Sequence, residues 1–212
     1  TASPVEEEQL MEKVVDRDNL STALRNVRRN KGAAGIDGMT VEELPAYLKR
    51  EWVKIRERLV SGTYVPMPAK RVEIPKPGGG TRKLGIPTVL DRFLQQAIMQ
   101  VLQQEWDATF SEASYGFRPQ RSAHQAIRRS QEYLKQGYVD MDLEKFFDRV
   151  NHDKVMSEVR KRITDRRVID LIFRFLRAGI VHEGKLLEPE MGTPQGGPLS
   201  PLLANLLLNN LD

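Results

Sequence analysis

Two aspartates spaced two residues apart, Asp140 and Asp142, are the first candidates for chemistry. In the segment 138–143 the apolar Val139, Met141 and Leu143 alternate with Tyr138, Asp140 and Asp142, and in an extended strand that alternation puts both carboxylates on one face. A carboxylate at a strand end can hold Mg²⁺, a hard cation that takes one or two carboxylates and fills its remaining positions with water and substrate phosphates. The same residue type also opens turns and caps helices, so the local pattern leaves both readings open. Lys76 and Arg82 flank the turn Pro77-Gly78-Gly79-Gly80. On a hairpin they would set two cations beside free backbone amides, a geometry suited to a triphosphate, or they would keep a solvated edge from pairing. The third group is the loop Gly192-Thr193-Pro194-Gln195-Gly196-Gly197-Pro198. Rigid prolines and permissive glycines around one amide side chain suit a loop laid against a base or a sugar. Arg160, Arg162, Arg166, Arg167, Arg174 and Arg177 make either a phosphate-contacting surface or a solvated helical face. Trp52 and Trp106 fall in apolar helical registers and read as core.

These groups need elements to position them. Leu10, Met11, Val14 and Val15, then Leu20, Leu24 and Val27, recur at helical spacing up to Asn30. Residues 31–38 form a glycine-rich loop that allows positive φ and close backbone approach. Thr40 with Glu43 reads as a capping box opening a helix that carries Leu44, Leu48, Trp52, Ile55 and Leu59 on one side and closes at Gly62. Residues 71–75 and 82–86 read as the strands of a basic hairpin. Helices follow at 91–106 and 122–136, the second ended by Gly137, and again at 154–163 and 166–178. A hairpin is expected over 180–188 around Gly184, and Ser200-Pro201 reads as the N-cap and first residue of a final helix burying Leu202, Leu203, Leu206, Leu207 and Leu211. The sequence holds no internal repeat, low-complexity tract or flexible linker.

Composition narrows the chemistry. The 212 residues carry 40% hydrophobic and 29% charged residues, enough for a real core. The absence of cysteine removes disulfides, thiol catalysis and thiolate metal sites, and three scattered histidines give no zinc-helix motif. A net charge of +4 permits nucleic acid without demanding it. Glu6, Glu7 and Glu8 are unlike a signal peptide, and the apolar run 202–208 is too short to span a bilayer, so a soluble cytoplasmic protein without membrane contact is expected.

Five blocks stand in a telling order: NKGAAGIDGMT, RVEIPKPGGGTRKLGIPTVLDRFLQQAI, SYGFRPQRSAHQAI, YVDMDLEKFFDRVNHDKVM and GTPQGGPLSPLLANLLLNNLD. Together they resemble the reverse transcriptase of group II intron maturases over nearly the whole chain. The resemblance implies an α+β, right-hand polymerase fold: helix-rich fingers and a partial palm, with β-hairpins and a small antiparallel palm sheet. The implied division is 1–90 fingers with an N-terminal extension, 91–149 palm including the first catalytic aspartate, 150–190 a return to the fingers, and 191–212 a truncated palm.

By the same resemblance Asp142 is the catalytic, metal-binding aspartate, because Phe147 follows at the spacing of the gate that excludes a 2′-hydroxyl, with Phe146 the alternative gate. Asp140 is then a neighbour. Lys76 and Arg82 would meet the incoming triphosphate, Gln195 would lie over the nucleotide sugar, and the Leu143 carbonyl would help hold a second metal. The loop from Lys31 through Gly35 to Gly38 would lie on the template, with Arg118 and Arg121 as template or nucleotide contacts. The implied cofactor is Mg²⁺. The implied partners are an RNA template (intron RNA), a DNA primer and dNTP, with a homodimer open through the final helix. The family continues into a Tyr-Ala-Asp-Asp hairpin that supplies further carboxylates, so these residues alone are expected not to polymerise. The competing readings are an RNA-binding module that assists splicing and a CRISPR-associated or retron reverse transcriptase.

Overall fold

The computed structural model describes residues 9–75, 79–135, 137, 143, 146–187 and 196–209, apart from the side chains of Arg82 and Asp148. The candidates Lys76, Asp140, Asp142 and Gln195, and the expected core residue Leu211, lie outside the described residues.

The chain opens with two short helices, α1 (Leu10–Val14) and α2 (Arg17–Arg29), followed by the glycine loop and α3 (Leu44–Val60). Next come β1 (Ala69–Pro75), β2 (Thr81–Ile86) and the long α4 (Val89–Trp106), which runs into a 3₁₀ turn, Asp107–Thr109. The remainder comprises α5 (Ala123–Leu134), α6 (Phe146–Arg149), α7 (His152–Arg162), α8 (Arg166–Arg177), β3 (Ile180–His182), β4 (Lys185–Leu187) and α9 (Ser200–Leu208).

α4 is the central post. Val89, Phe93, Leu94, Ala97, Ile98 and Leu102 are all at most 1% exposed, which is the signature of a helix covered on every side. Against it lies α2, and a polar ladder fixes the register of the pair. Asn19 Nδ2 donates to the Val14 carbonyl (2.8 Å) and the Ala97 carbonyl (3.1 Å), Gln100 Nε2 donates to Asn19 Oδ1 (2.7 Å), and Asn26 Nδ2 donates to Gln100 Oε1 (3.0 Å). Each bond satisfies a group that burial would otherwise penalise. Trp106 is core, as its register implies, and Trp52 sits half-buried, edge-on to Phe93 at 6.2 Å between centroids.

A second tie joins the N-terminus to the late helices. Asp165, the N-cap of α8, accepts the Met11 N–H at 2.9 Å, while Arg167 makes a two-pronged bond to Glu12 (2.7 and 2.8 Å) and also donates to Asp165. That pairing holds the Glu12 carboxyl below its ordinary range.

The described sheet is mixed, in the order β2-β1-β3-β4. β1 and β2 form the expected antiparallel hairpin, with Lys70 opposite Ile86 and Pro75 opposite Thr81. The second hairpin, β3–β4, docks onto β1 in parallel, Ala69 opposite Ile180 and Lys70 opposite Val181. Of the strand expected over 138–143, only Leu143 is among the described residues.

Three local readings need correction. Glu43 does reach back to the Thr40 N–H (2.8 Å), but the helix starts only at Leu44 because Pro45 occupies its first turn, so Thr40 is not the N-cap. Leu199, rather than Ser200, caps α9, and Ser200 is its first helical residue. The arginine-rich face of α7 and α8 is largely tied inward: Arg174 donates to the carbonyls of Gly62 (2.6 Å) and Tyr64 (2.8 Å), Arg162 bonds Thr109 Oγ1 and lies over Trp106, and Arg177 lies over Phe173.

Candidate active site

The glycine loop is built by close approach. At Gly35 a Cβ would fall 2.6 Å from the Thr88 Cα and 2.8 Å from its nitrogen, so only glycine lets the loop rest on the start of α4. Arg92 pins the loop from below, donating through Nη2 to the Ala33 carbonyl at 2.6 Å, and its guanidinium fills the space where a side chain at Gly32 would go. Lys31 is exposed at the head of the loop with φ +44. Between loop and α3 lies a cleft of about 620 Å³ lined by Asp37, Tyr47, Arg50, Tyr64 and Met67.

The end of the 192–198 loop comes to the same place. At Gly196, φ +139, a Cβ would meet the Gly85 carbonyl at 2.8 Å, and at Gly197 it would meet Gln95 Oε1 at 2.3 Å. Glycine is required at 196, where the neighbour is the β2 backbone, whereas a side chain at 197 would have to displace the Gln95 amide of α4. The residue after Gln195 is therefore seated at the base of the hairpin that carries Arg82.

In the 138–156 block the described residues include Leu143, Phe146 and Phe147, close to one another in the chain. Phe146 N–H donates to the Leu143 carbonyl at 3.2 Å, which leaves that oxygen a second lone pair. The two phenylalanine rings meet edge-on at 5.5 Å, and Phe146 is the one packed against the core.

Arg118 does not fit the role of a template contact. Its side chain is 4% exposed, and it donates to Asp107 Oδ1 (2.9 Å) and Oδ2 (3.3 Å) and to the carbonyls of Asp107, Ser111 and Ser114. All its donor positions are used in holding the 107–118 turn. Arg121 is part-exposed, donates to the Glu112 carbonyl (3.0 Å) and lies over Tyr115. Immediately before Arg118, Phe117 is 74% exposed at φ +55, a conformation rare for a bulky residue. It is held there by Asn205, which bonds the Gly116 carbonyl (2.8 Å), and by Gln103, which bonds its own (3.2 Å).

Sequence reasoning missed Asp91. It is 1% exposed and accepts three hydrogen bonds, from Tyr64, Met67 and Thr88. The available signal was a carboxylate in an otherwise apolar helical register. Burial pushes its carboxyl above the ordinary range while the hydrogen bonds oppose the shift. Among the described residues no cluster of His, Asp or Glu could by itself hold a metal.

The family described as reverse transcriptase (RNA-dependent DNA polymerase) matches residues 74–212. The chain belongs to that family. Among curated relatives, protein YkfC of Escherichia coli K12 is 38% identical over 97% of the chain and 56% of its own length. The group II intron-encoded protein LtrA of Lactococcus lactis is 35% identical over 90% of the chain and 32% of its own length. The chain thus spans from about a third to just over half of these relatives. A solved reverse transcriptase assembly, described as a partial Cas6-RT-Cas1–Cas2 complex, superposes with a TM-score of 0.66 at 26% identity, covering 96% of this chain and 34% of that one. These likenesses agree with the helix-rich fingers and partial palm expected of a reverse transcriptase. Among the described residues no helix is long and apolar enough to cross a membrane.

Proposed function

We propose that the chain supplies the fingers and part of the palm of an RNA-directed DNA polymerase of the group II intron maturase kind. The observation that carries this reading is the meeting of three separate blocks: the glycine loop, the hairpin base and the Gly196-Gly197 stretch all close on the first turns of α4. A nucleotide site needs such convergence, since cations on a hairpin and an amide on a distant loop must face one substrate.

Asp142 and the Leu143 carbonyl would hold Mg²⁺. Both are hard oxygen donors, and the Leu143 oxygen keeps a lone pair beyond its bond from Phe146. When bound, two such ions neutralise the triphosphate and favour attack of the primer 3′-hydroxyl on the α-phosphate, with pyrophosphate leaving. Lys76 and Arg82 bind the triphosphate oxygens, Phe147 bars a 2′-hydroxyl while Phe146 anchors in the core, and Gln195 positions the sugar. The glycine loop and Arg121 face the template, and Arg118 shapes the turn that leads to Arg121. Tyr-Ala-Asp-Asp does not occur in the 212 residues, so a protein of these residues alone is expected to bind substrates without synthesis.

In the full-length protein, Asp142→Ala should abolish primer extension on an RNA template and leave RNA binding unchanged; loss of both would make the aspartate structural. Phe147→Ala should admit ribonucleotides, and unchanged discrimination would move the gate to Phe146. The likeness to the Cas6-RT-Cas1–Cas2 assembly favours a second reading, a CRISPR-associated reverse transcriptase. Binding of intron RNA in preference to unrelated RNA of equal length separates the two.

A further inference from the structure

The hairpin of β1 and β2 leaves the body of the molecule through two roots, residues 64–68 ahead of β1 and Pro87-Thr88 after β2. Both roots close on one buried carboxylate. Asp91 Oδ1 accepts the Tyr64 hydroxyl at 2.8 Å, and Oδ2 accepts the Met67 N–H at 3.1 Å and the Thr88 hydroxyl at 2.7 Å. The Asp91 N–H donates to Thr88 Oγ1 at 3.1 Å, so Thr88 both caps α4 and ties to the carboxylate. Burial keeps the Tyr64 phenol protonated, a permanent donor. The cap needs only the Asp91 backbone, and the neighbouring Val89, Phe93 and Leu94 are wholly apolar, so packing alone does not call for an acid here. The carboxylate instead makes a joint. Arg174 fixes the chain just ahead of it by its bonds to Gly62 and Tyr64.

We propose that Asp91 is a positioning residue that sets the angle of the hairpin on α4, and through it the place of Lys76 and Arg82 against the incoming triphosphate. The inference rests on the triphosphate reading of the hairpin given above. An Asn at this position would keep most of the joint: its Oδ1 can accept from Met67 and Thr88 while its Nδ2 donates to the Tyr64 oxygen, so the Tyr64 contact survives with its direction reversed and only the phenol hydrogen loses its acceptor. Ala keeps none of the three.

The test is primer extension by the full-length protein at varied dNTP. Asp91→Ala should raise KM for dNTP about ten-fold with kcat changed far less, and Asp91→Asn should stay within about two-fold of the parent, since small displacements of binding groups carry large kinetic costs. Loss of packing alone lowers the active fraction, which reduces kcat at constant KM; that result would overturn the proposal. Should Asp91→Ala fail to fold, Tyr64→Phe removes one tie alone and Thr88→Val removes one tie together with the α4 cap; each should raise KM, and unchanged KM in both would overturn it equally. If the parent protein extends no primer, the polymerase reading fails, and amide exchange still decides the joint. Faster exchange confined to β1 and β2 in the variants supports it, and exchange raised evenly through α7 and α8 refutes it.

Discussion

At the scale of single residues, the role of a charged side chain is set by the groups it meets. Arg118 has the charge and the block of a template contact, yet its guanidinium is spent on Asp107 and three carbonyls inside the fold. Arg118→Ala should therefore cost about 3 kcal/mol or more, because it strips a buried cation from its acceptors and leaves them unpaired. Urea unfolding measures the loss, and RNA binding by the protein that remains folded should be near that of the parent. An Arg118 that loses RNA affinity without losing stability would restore the template role. The sequence could show an arginine, but not that five acceptors converge on it from residues 107–114. The same holds for Phe117, whose exposure depends on amide side chains from α4 and α9, far away in the chain.

At the scale of elements, periodicity placed nearly every described helix within a few residues. α5 begins at its Ser122–Gln125 capping box, and α3 ends before Gly62 at φ +68. The errors came where two local signals compete: Thr40 and Glu43 do bond, but Pro45 decides where the helix starts. The glycine loop was legible as a site of close approach, although its partner is the molecule's own α4. Gly35→Ala follows from that contact. A methyl group 2.6 Å from the Thr88 Cα must push the loop off α4, at a cost of about 1 to 3 kcal/mol. A lowered urea midpoint, with faster amide exchange in residues 31–38, is the expected result, and a neutral change would mean the loop has room to move. The parallel seam between β1 and β3 was not legible at all, since short strands with half-exposed patterns carry no mark of which distant edge they join.

At the scale of the whole molecule, one apolar cluster takes residues from α1 to α4 and from α7 to α9, with Phe146 of α6 packed against it. The early and late helices share it, which is why no linker or composition shift divides the sequence. Such a core should unfold as one unit. Far-ultraviolet circular dichroism and fluorescence of Trp52 and Trp106 should give coincident urea transitions, and separate midpoints would mean that the two parts fold independently. The five-block order carries the family, whereas the joint at Asp91 depends on two hairpin-root residues, Tyr64 and Thr88, more than twenty residues apart, that meet one carboxylate, which no local pattern marks. The seam between β1 and β3 also sets a clock on synthesis. Ala69 leaves the ribosome more than a hundred residues before its partner Ile180, an interval of roughly 5 to 20 seconds at ordinary translation rates. Through that interval the nascent β1 presents an open edge, and Lys70 and Arg71 at its head are the charges that keep a neighbouring chain from claiming the place first.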